Sequence, residues 1–273
     1  VDGFKMDGGD PEYYAQVTGE STAAALRHTE AFAAIGLRYR LTEYRACWKH
    51  AGTHLTQRLC DKNHAWDGSG LASLIPNGAA QGLSGYAFGC PDMIGGGQYS
   101  DFYHLGTLEP RFDIDQELFV RYAQVSALFP MMQFSLAPWR VLDGPHLAAC
   151  AEAAALHGRH APLIAELAAE AARSGAPILR HMEYEFPQQG YAHVHDQFLL
   201  GPDVLAAPIL VKGASSRAVR IPPGRWRGAG GAVEAGCLEG PQEVRVRAVR
   251  EASTRGSVAL EPLLYFVREA PPE

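Results

Sequence analysis

The chain has 273 residues, 47% hydrophobic and 20% charged, which is long enough to bury a core and too apolar for a disordered chain. Its 24 Lys and Arg against 30 Asp and Glu give a formal net charge of −6 without a basic block, which argues against nucleic acid as a partner. The longest uncharged stretch, 68–91, holds six glycines and Pro76, so no membrane segment is expected.

Short apolar runs alternate with helical stretches up to about residue 185. The apolar runs predict five strands, at 1–6, 37–42, 85–90, 131–135 and 176–181. The stretches between them predict helices over 22–35, 71–83, 115–128 and 147–173. The last helix is expected to break near Gly158 and Pro162 and to end at Gly175. This alternation indicates βαβ units and a parallel sheet.

From about residue 186 the pattern changes to short segments rich in β-branched residues. These segments lie at 204–211, 218–221, 243–249 and 257–266, with turns expected at 222–224 and 228–231. They are typical of an antiparallel β-sandwich. We therefore expect two domains, an α/β domain over 1–185 and a β-sandwich over 186–273.

The five cysteines are odd in number and never form a C-x-x-C pair: Cys47, Cys60, Cys90, Cys150 and Cys237. This pattern indicates neither a disulfide framework nor a zinc site and favours a reducing compartment such as the cytoplasm. His193 and His195 share a strand face, but a pair without a third ligand does not indicate a metal site. The sequence thus implies no metal and no cofactor.

Charged residues follow the predicted strands, where parallel strands bring side chains to one face. Lys5, Asp7 and Asp10 follow the first strand, Glu43, Arg45, Lys49 and His50 the second, and Asp92 the third. Carboxylates mixed with Arg and Lys suit glycoside hydrolysis through an oxocarbenium-like transition state. They equally suit a metal site or a ring of salt bridges.

Several ordered segments resemble glycoside hydrolase family 31. Residues 1–10, VDGFKMDGGD, are similar to the family's nucleophile segment, a strand of the form D-G-x-x-x-D followed three residues later by an acidic residue. The resemblance implies that Asp7 is the nucleophile and that Asp10 is the acidic residue that follows it. Arg45 and Asp61 are sixteen residues apart, the family's spacing between an Arg lining the sugar site and the general acid/base.

The resemblance continues over nearly the whole chain. GCPDMIGG around Asp92 is similar to the family's G-x-D-I-G-G element, whose Asp lines the sugar pocket. Segments 121–130 and 196–208 and the PPGRW turn at 222–226 match later elements. The implied fold is a partial (β/α)8 barrel, strands four to eight, followed by the C-terminal β-sandwich.

The implied activity is that of a retaining α-glycosidase with Asp7 as nucleophile and Asp61 as acid/base, their carboxyl groups about 5 to 5.5 Å apart. Its partner is a carbohydrate substrate, and the expected contacts are Lys5, Asp10, Arg45, Arg58, Asp92 and Trp139. Three of these have simpler interpretations. Asp92 would serve as a cap before a glycine run, Arg58 as a surface salt bridge, and Trp139 as part of a barrel core.

Departures from the family pattern bear on the sugar. Gln133 and Ser135 stand where family α-glucosidases carry R-x-H, and Lys5 replaces a common Trp. FKMD and CPDMIGG resemble the branch that includes the myogenesis-regulating glycosidase, an α-galactosidase. We therefore expect α-galactosides, with α-glucosides or α-xylosides as alternatives. Arg58 replaces another family Trp, in RLCD instead of W-x-G-D.

Other outcomes stay open at this point. A sugar-binding homologue without activity, or an enzyme with lyase or transglycosylase chemistry, would carry many of the same residues, and the oligomeric state is undetermined. The chain starts within a predicted strand, and only five barrel strands precede the sandwich although a barrel has eight. From this we expect a C-terminal fragment that is unstable or inactive when expressed alone.

Overall fold

The computed structural model of the protein describes residues 2–103, 107, 109, 114–249 and 260–270. The N-terminal part is built on a parallel sheet, as expected from the alternating pattern. Its described strands lie in the order β1 (Gly3–Met6), β2 (Leu41–Tyr44), β3 (Thr56–Arg58) and β4 (Gly89–Cys90). Lys5 is the register partner of Glu43 across the β1 and β2 pair, which places the two side chains on one face.

Three features of this sheet differ from expectation. β3 was not predicted, since a three-residue strand with a polar centre, Gln57, gives no apolar run. β2 was expected over 37–42 but lies at Leu41–Tyr44, because residues 37–40 form the turn that follows α2. The strand expected over 131–135 is an isolated parallel bridge, between Met93 and Gln133.

The helices in the described ranges are α1 (Pro11–Thr18), α2 (Thr22–Gly36), α3 (Leu74–Leu83, after a short 3-10 turn), α4 (Tyr99–Phe102), α5 (Gln116–Ser126), α6 (Pro138–Val141), α7 (Gly144–Ser174) and α8 (Met182–Glu185). The predictions of α2, α3 and α5 are confirmed. Ser21 caps α2 through the Ala24 N–H, and Asp115 caps α5 through the Leu118 N–H.

The long helix α7 runs without a break, so the interruption expected near Gly158 and Pro162 is wrong. Buried alanine and leucine side chains on one side of α7, among them Ala149, Ala153 and Leu156, pack in the core. This packing stabilises the helix although Pro162 has no N–H to donate to the preceding turn. Gly175 ends the helix with φ 75°, as expected. None of the helices in the described ranges has both the length and the apolar character needed to cross a bilayer.

An antiparallel sheet follows. Its described strands lie in the order β5 (Leu179–Arg180), β6 (Phe198–Leu200), β7 (Val204–Ala206), β10 (Leu264–Arg268), β8 (Ser216–Gly230) and β9 (Cys237–Arg247). β5, expected in the parallel sheet, pairs antiparallel with β6, since the chain folds back after α8. Pro222–Gly224 is not a turn but an irregularity inside the long strand β8. The expected strand 257–266 lies partly outside the described residues.

Two larger apolar cores support these elements. One joins α3, α5 and α7 to β5, β6 and β7. The other lies under β8 and β10 around Trp226, which is fully buried. The structure thus shows an α/β chain with one parallel and one antiparallel sheet. A closed barrel, a two-layer sandwich and a domain boundary at residue 185 stay predictions.

Candidate active site

The ends of four parallel strands bring the candidate residues together. Asp7 directly follows β1, Arg45 directly follows β2, and Asp61 and Asp92 come shortly after β3 and β4. Because the strands are parallel, these residues meet at one edge of the sheet, where α/β proteins bind their ligands. The charged strand ends noted in the sequence therefore form one cluster.

A cleft of about 330 Å³ opens at this edge. Lys5, Asp7 and Asp61 supply its charged lining. The remaining lining is largely apolar and aromatic: Met93, Gly96, Gly97, Tyr99, Phe102, Tyr103, Ser135 and Leu136. An aromatic wall beside carboxylates is a common surface for a sugar ring, whose C–H face packs on aromatic rings while its hydroxyls form hydrogen bonds.

Arg45 connects three of the carboxylates. Its Nε lies 3.1 Å from both oxygens of Asp10, and its Nη2 lies 2.7 Å from Asp10 Oδ2. Its Nη1 contacts Asp7 Oδ1 at 3.2 Å and Asp61 Oδ2 at 3.3 Å. The hydrogen bond to Asp10 and the nearby negative charges raise the pKa of Arg45 further, so its charge is permanent.

Arg58 is the second hub, and its side chain is only 1% exposed. It donates to four carboxylates, with contacts to Glu43 Oε1 at 3.1 Å, Asp61 Oδ1 at 2.8 Å, Asp92 Oδ1 at 2.8 Å and Asp7 Oδ1 at 3.1 Å. The interpretation of Arg58 as a surface salt bridge is therefore wrong. Burial tends to lower the pKa of Arg58, but the hydrogen bonds and charges of Asp61 and Asp92 raise it overall.

Asp92 lies beneath the cluster. Its side chain is fully buried and also accepts from the Lys62 N–H at 2.7 Å, and its φ of 100° is unusual for a residue with a side chain. Burial raises the pKa of Asp92 despite the opposing Lys62 N–H and Arg58. Asp92 is thus held by the Lys62 N–H and in turn holds the Arg58 guanidinium. Direct contact of Asp92 with a sugar stays a prediction.

Two residues of the cluster were not among the predicted site residues. Glu43 was taken as a residue beyond the strand end, but it lies inside β2 and is buried. Gln133 was noted only as a departure from the family pattern, yet its amide joins Glu43 Oε2 to the Lys5 ammonium, whose Nζ is 3.4 Å from Gln133 Oε1. Pairing of Lys5 with Glu43 across β1 and β2 would have indicated a role for Glu43, but that pairing follows only from the exact limits of the two strands.

Trp139 is not brought to the cleft. It lies on α6 with 73% of its surface exposed, outside the described lining. Its stacking on a sugar stays a prediction. Within the part of the chain that the structure describes, no group of three or more His, Cys, Asp and Glu side chains could hold a metal ion.

The two proposed catalytic carboxylates share the contacts to Arg45 and Arg58 but differ in exposure. The Asp7 side chain is 59% exposed and that of Asp61 is 31% exposed. Both contact Arg45 Nη1, so Asp7 Oδ1 and Asp61 Oδ2 cannot lie farther apart than the combined length of contacts of 3.2 and 3.3 Å. Two carboxyl groups this close, facing a cleft, suit acid/base and nucleophilic chemistry on one bond.

Comparison with known proteins identifies the family. Residues 175–260 match the sequence model of the glycosyl hydrolase family 31 C-terminal domain. The mouse myogenesis-regulating glycosidase is 33% identical over 236 residues, which cover 83% of this chain and 32% of that protein. The SITS-binding protein of Tetronarce californica is 32% identical over 170 residues, covering 60% of this chain and 22% of that protein.

Among solved structures, a family 31 dextranase from Flavobacterium johnsoniae in complex with glucose superposes with a TM-score of 0.77 at 20% identity, covering 98% of this chain and 34% of that one. At that identity the likeness shows a shared fold. The chain spans about a third or less of the length of the relatives it matches. Sequence model, relatives and fold agree, and the chain belongs to glycosyl hydrolase family 31.

Proposed function

We propose that this protein is a retaining α-glycosidase that hydrolyses terminal α-galactosides. The observation that carries the proposal is the shared contact of Asp7 and Asp61 with Arg45 Nη1 at the cleft. A nucleophile and an acid/base must face one glycosidic bond together, and both candidate carboxylates line the cleft.

In the first step, protonated Asp61 donates its proton to the glycosidic oxygen while an Asp7 oxygen attacks the anomeric carbon. The bond between that carbon and the leaving oxygen breaks, and a glycosyl ester of Asp7 forms. In the second step, the Asp61 carboxylate takes a proton from water, and the resulting hydroxide replaces Asp7 at the anomeric carbon. The sugar leaves with its original configuration, and Asp61 is protonated again.

The spacing of the carboxylates supports retention over inversion. Inverting enzymes hold their carboxyl groups roughly 6.5 to 9.5 Å apart to make room for a water molecule, and retaining enzymes about 5 to 5.5 Å. Because both contact Arg45 Nη1, the distance between one oxygen of Asp7 and one of Asp61 is at most equal to the lower limit of the inverting range. Arg45 and Arg58 both contact Asp7 and so hold its carboxyl group at the cleft.

The positive charge of Lys5 in the lining of the cleft supports galactose as the sugar. Lys5 lines the cleft, and its Nζ lies 3.4 Å from Gln133 Oε1 and 3.6 Å from Met93 Sδ. The ammonium is thus held in place and able to donate to ring hydroxyls. Since the resemblance places Lys5 where family α-glucosidases have Trp, and Gln133 in the segment where they have R-x-H, a sugar other than glucose fits this cleft.

The test is a panel of nitrophenyl α-glycosides assayed with the full-length natural protein: galactoside, glucoside and xyloside. We expect hydrolysis of the galactoside with an α-anomeric first product. A fluorinated galactosyl fluoride that accumulates the covalent intermediate should label Asp7, as located by peptide mass spectrometry. Hydrolysis of the glucoside but not the galactoside would refute the sugar assignment.

One alternative is a sugar-binding protein without turnover. The relative in Tetronarce californica is named for binding, and it matches 60% of this chain. The presence of Asp7 and Asp61 in contact with one cation favours the enzyme. Galactose binding by calorimetry without labelling of Asp7 and without hydrolysis in the panel would establish the alternative instead.

A further inference from the structure

Glu43 has a role in this cleft that neither the motifs nor the family resemblance assigns to it. We propose that Glu43 is a positioning residue that fixes Arg58 and Lys5 at once, and so links the proposed catalytic carboxylates to the proposed sugar contact. The inference rests on the proposed glycosidase function and deepens it.

The position of Glu43 supports this role. It lies within β2 with a side chain only 7% exposed, directly in register with Lys5 on β1. Glu43 Oε1 accepts from Arg58 Nε at 3.1 Å and lies 3.9 Å from Lys5 Nζ, while its other oxygen accepts from the Gln133 amide. A buried carboxylate with partners on both oxygens does not move freely, because any rotation leaves a buried donor unpaired.

The directions of these hydrogen bonds require a carboxylate at position 43. The Lys5 ammonium only donates, so Gln133 must turn its Oε1 towards Lys5. The amide nitrogen of Gln133 then faces Glu43 and needs an acceptor. The Arg58 Nε–H also only donates to residue 43. Residue 43 must therefore accept at both of its side-chain ends, which Glu does and Gln does not.

Glu43 affects the cleft through two neighbours, Arg58 and Gln133. Through Arg58, Glu43 aims the guanidinium at Asp7 Oδ1 and Asp61 Oδ1, at 3.1 and 2.8 Å. Through Gln133, it holds the amide oxygen that contacts Lys5. Glu43 does not line the cleft, so it acts through these neighbours and not on the sugar. Loss of its second acceptor should disturb both the reaction step and the choice of sugar.

A double-mutant cycle tests this chain of donors and acceptors in the full-length protein, with Glu43→Gln, Gln133→Glu and the double variant. Glu43→Gln places two donors face to face, and Gln133→Glu places two carboxylates face to face. The double variant restores every pairing. Its carboxylate, now at position 133, accepts from Lys5 and from the amide nitrogen at position 43, while the amide oxygen at position 43 accepts from Arg58. Glu30→Gln, an exposed partner of Lys49, is the matched control.

We expect each single change to lower kcat/KM for nitrophenyl α-galactoside about 100-fold, with a lower kcat and an altered galactoside to glucoside ratio. The double variant should recover at least about tenfold, and the control should keep wild-type values. Rates are referred to the fraction labelled by the fluorinated galactosyl fluoride, because a purely structural role would reduce that fraction and leave KM and the sugar ratio unchanged.

Unchanged kinetics in Glu43→Gln, or a double variant no better than the worse single, would overturn the inference. If Glu43→Gln does not fold, recovery of folded, active protein in the double variant supports it, and failure of both overturns it. If the wild-type protein hydrolyses none of the glycosides, the proposed function fails instead. Galactose affinity of the same four proteins, measured by calorimetry, then shows whether Glu43 positions Lys5.

Discussion

Asp7 and Asp61 contact the same guanidinium nitrogen, Arg45 Nη1, at 3.2 and 3.3 Å. The two residues are far apart in sequence, and they meet because their strands, β1 and β3, flank β2, which carries Arg45. The central strand thus supplies the cation and its two neighbours supply the carboxylates. This relationship sets the spacing on which the proposed retaining mechanism depends.

Replacing Asp7 and Asp61 separately should give different defects. Asp7→Ala removes the nucleophile, so hydrolysis of every substrate should fall by at least about 10⁴-fold. Asp61→Ala should keep partial activity on substrates whose leaving group needs no proton, and added azide should yield an α-glycosyl azide. Nuclear magnetic resonance of the products distinguishes the two variants. Equal loss in both, without azide product, would contradict the assignment, and exposed Asp143→Ala is the control.

Lys5 should determine the sugar. Lys5→Met removes the ammonium but keeps much of its length, so a charged hydrogen bond of about 1.5 to 3 kcal/mol is lost. We expect kcat/KM for the α-galactoside to fall roughly 10- to 100-fold, with a smaller fall for the α-glucoside. Parallel assays of both substrates measure the ratio. Lys49→Met, with a 59% exposed side chain, should leave it unchanged, and an unchanged ratio in Lys5→Met would reject the role of Lys5.

Arg58 should be important for folding as well as for the site. Its partners Glu43 and Asp92 are 7% and 0% exposed, so Arg58→Met takes the guanidinium away from two buried carboxylates and leaves Glu43 only the more distant Lys5. The expected loss is about 3 to 5 kcal/mol in the free energy of unfolding, measured with urea. Arg220→Met, whose partner Glu243 is exposed, should cost less than about 1 kcal/mol. Similar losses in the two variants would show that Arg58 contributes no more than a surface pair.

Much of the fold follows from local patterns. Apolar periodicity and caps such as Ser21 and Asp115 suffice to predict α2 and α5, because these signals are contained in a single element. β3 and the exact limits of β2 could not be predicted in this way. A three-residue strand such as Thr56–Arg58 is selected by its neighbours in the sheet and has little propensity of its own.

The same reason explains what was found and missed in the site. Asp7, Arg45 and Asp61 were predicted from motifs with fixed spacing, and in the structure both carboxylates contact Arg45. Glu43 and Gln133 meet from strand β2 and the bridge segment, ninety residues apart, and only the register of the sheet shows that they pair. The burial of Arg58 likewise depends on tertiary packing, which the spacing of sequence motifs does not indicate.

The contact between Asp115 and Lys212 joins α5 to the loop after β7, and it predicts a pH-dependent contribution to stability. Burial raises the pKa of Asp115, but hydrogen bonds from Lys212, Trp66 and the Leu118 N–H together lower it below the ordinary value of 3.8. A carboxyl with a lowered pKa in the folded state stabilises the fold above that ordinary value. The contribution is lost as the pH falls through the lowered pKa.

Asp115→Asn keeps the acceptor for the Leu118 N–H but removes the charge and the oxygen that accepts from both Lys212 and Trp66. Lys212 is 64% exposed and screened by water, so the ion pair contributes only a small part of the loss of stability at pH 7, and the Trp66 N–H, which loses its acceptor, contributes the rest. In urea titrations of the full-length protein, this difference should stay constant down to about pH 5 and shrink below pH 3.8. Lys212→Met, which leaves the cap and the Trp66 hydrogen bond of Asp115 in place, is the comparison variant for the ion pair alone. A difference for Asp115→Asn that grows on acidification would contradict the sign of the pKa shift, and with it the stabilising charge on Asp115.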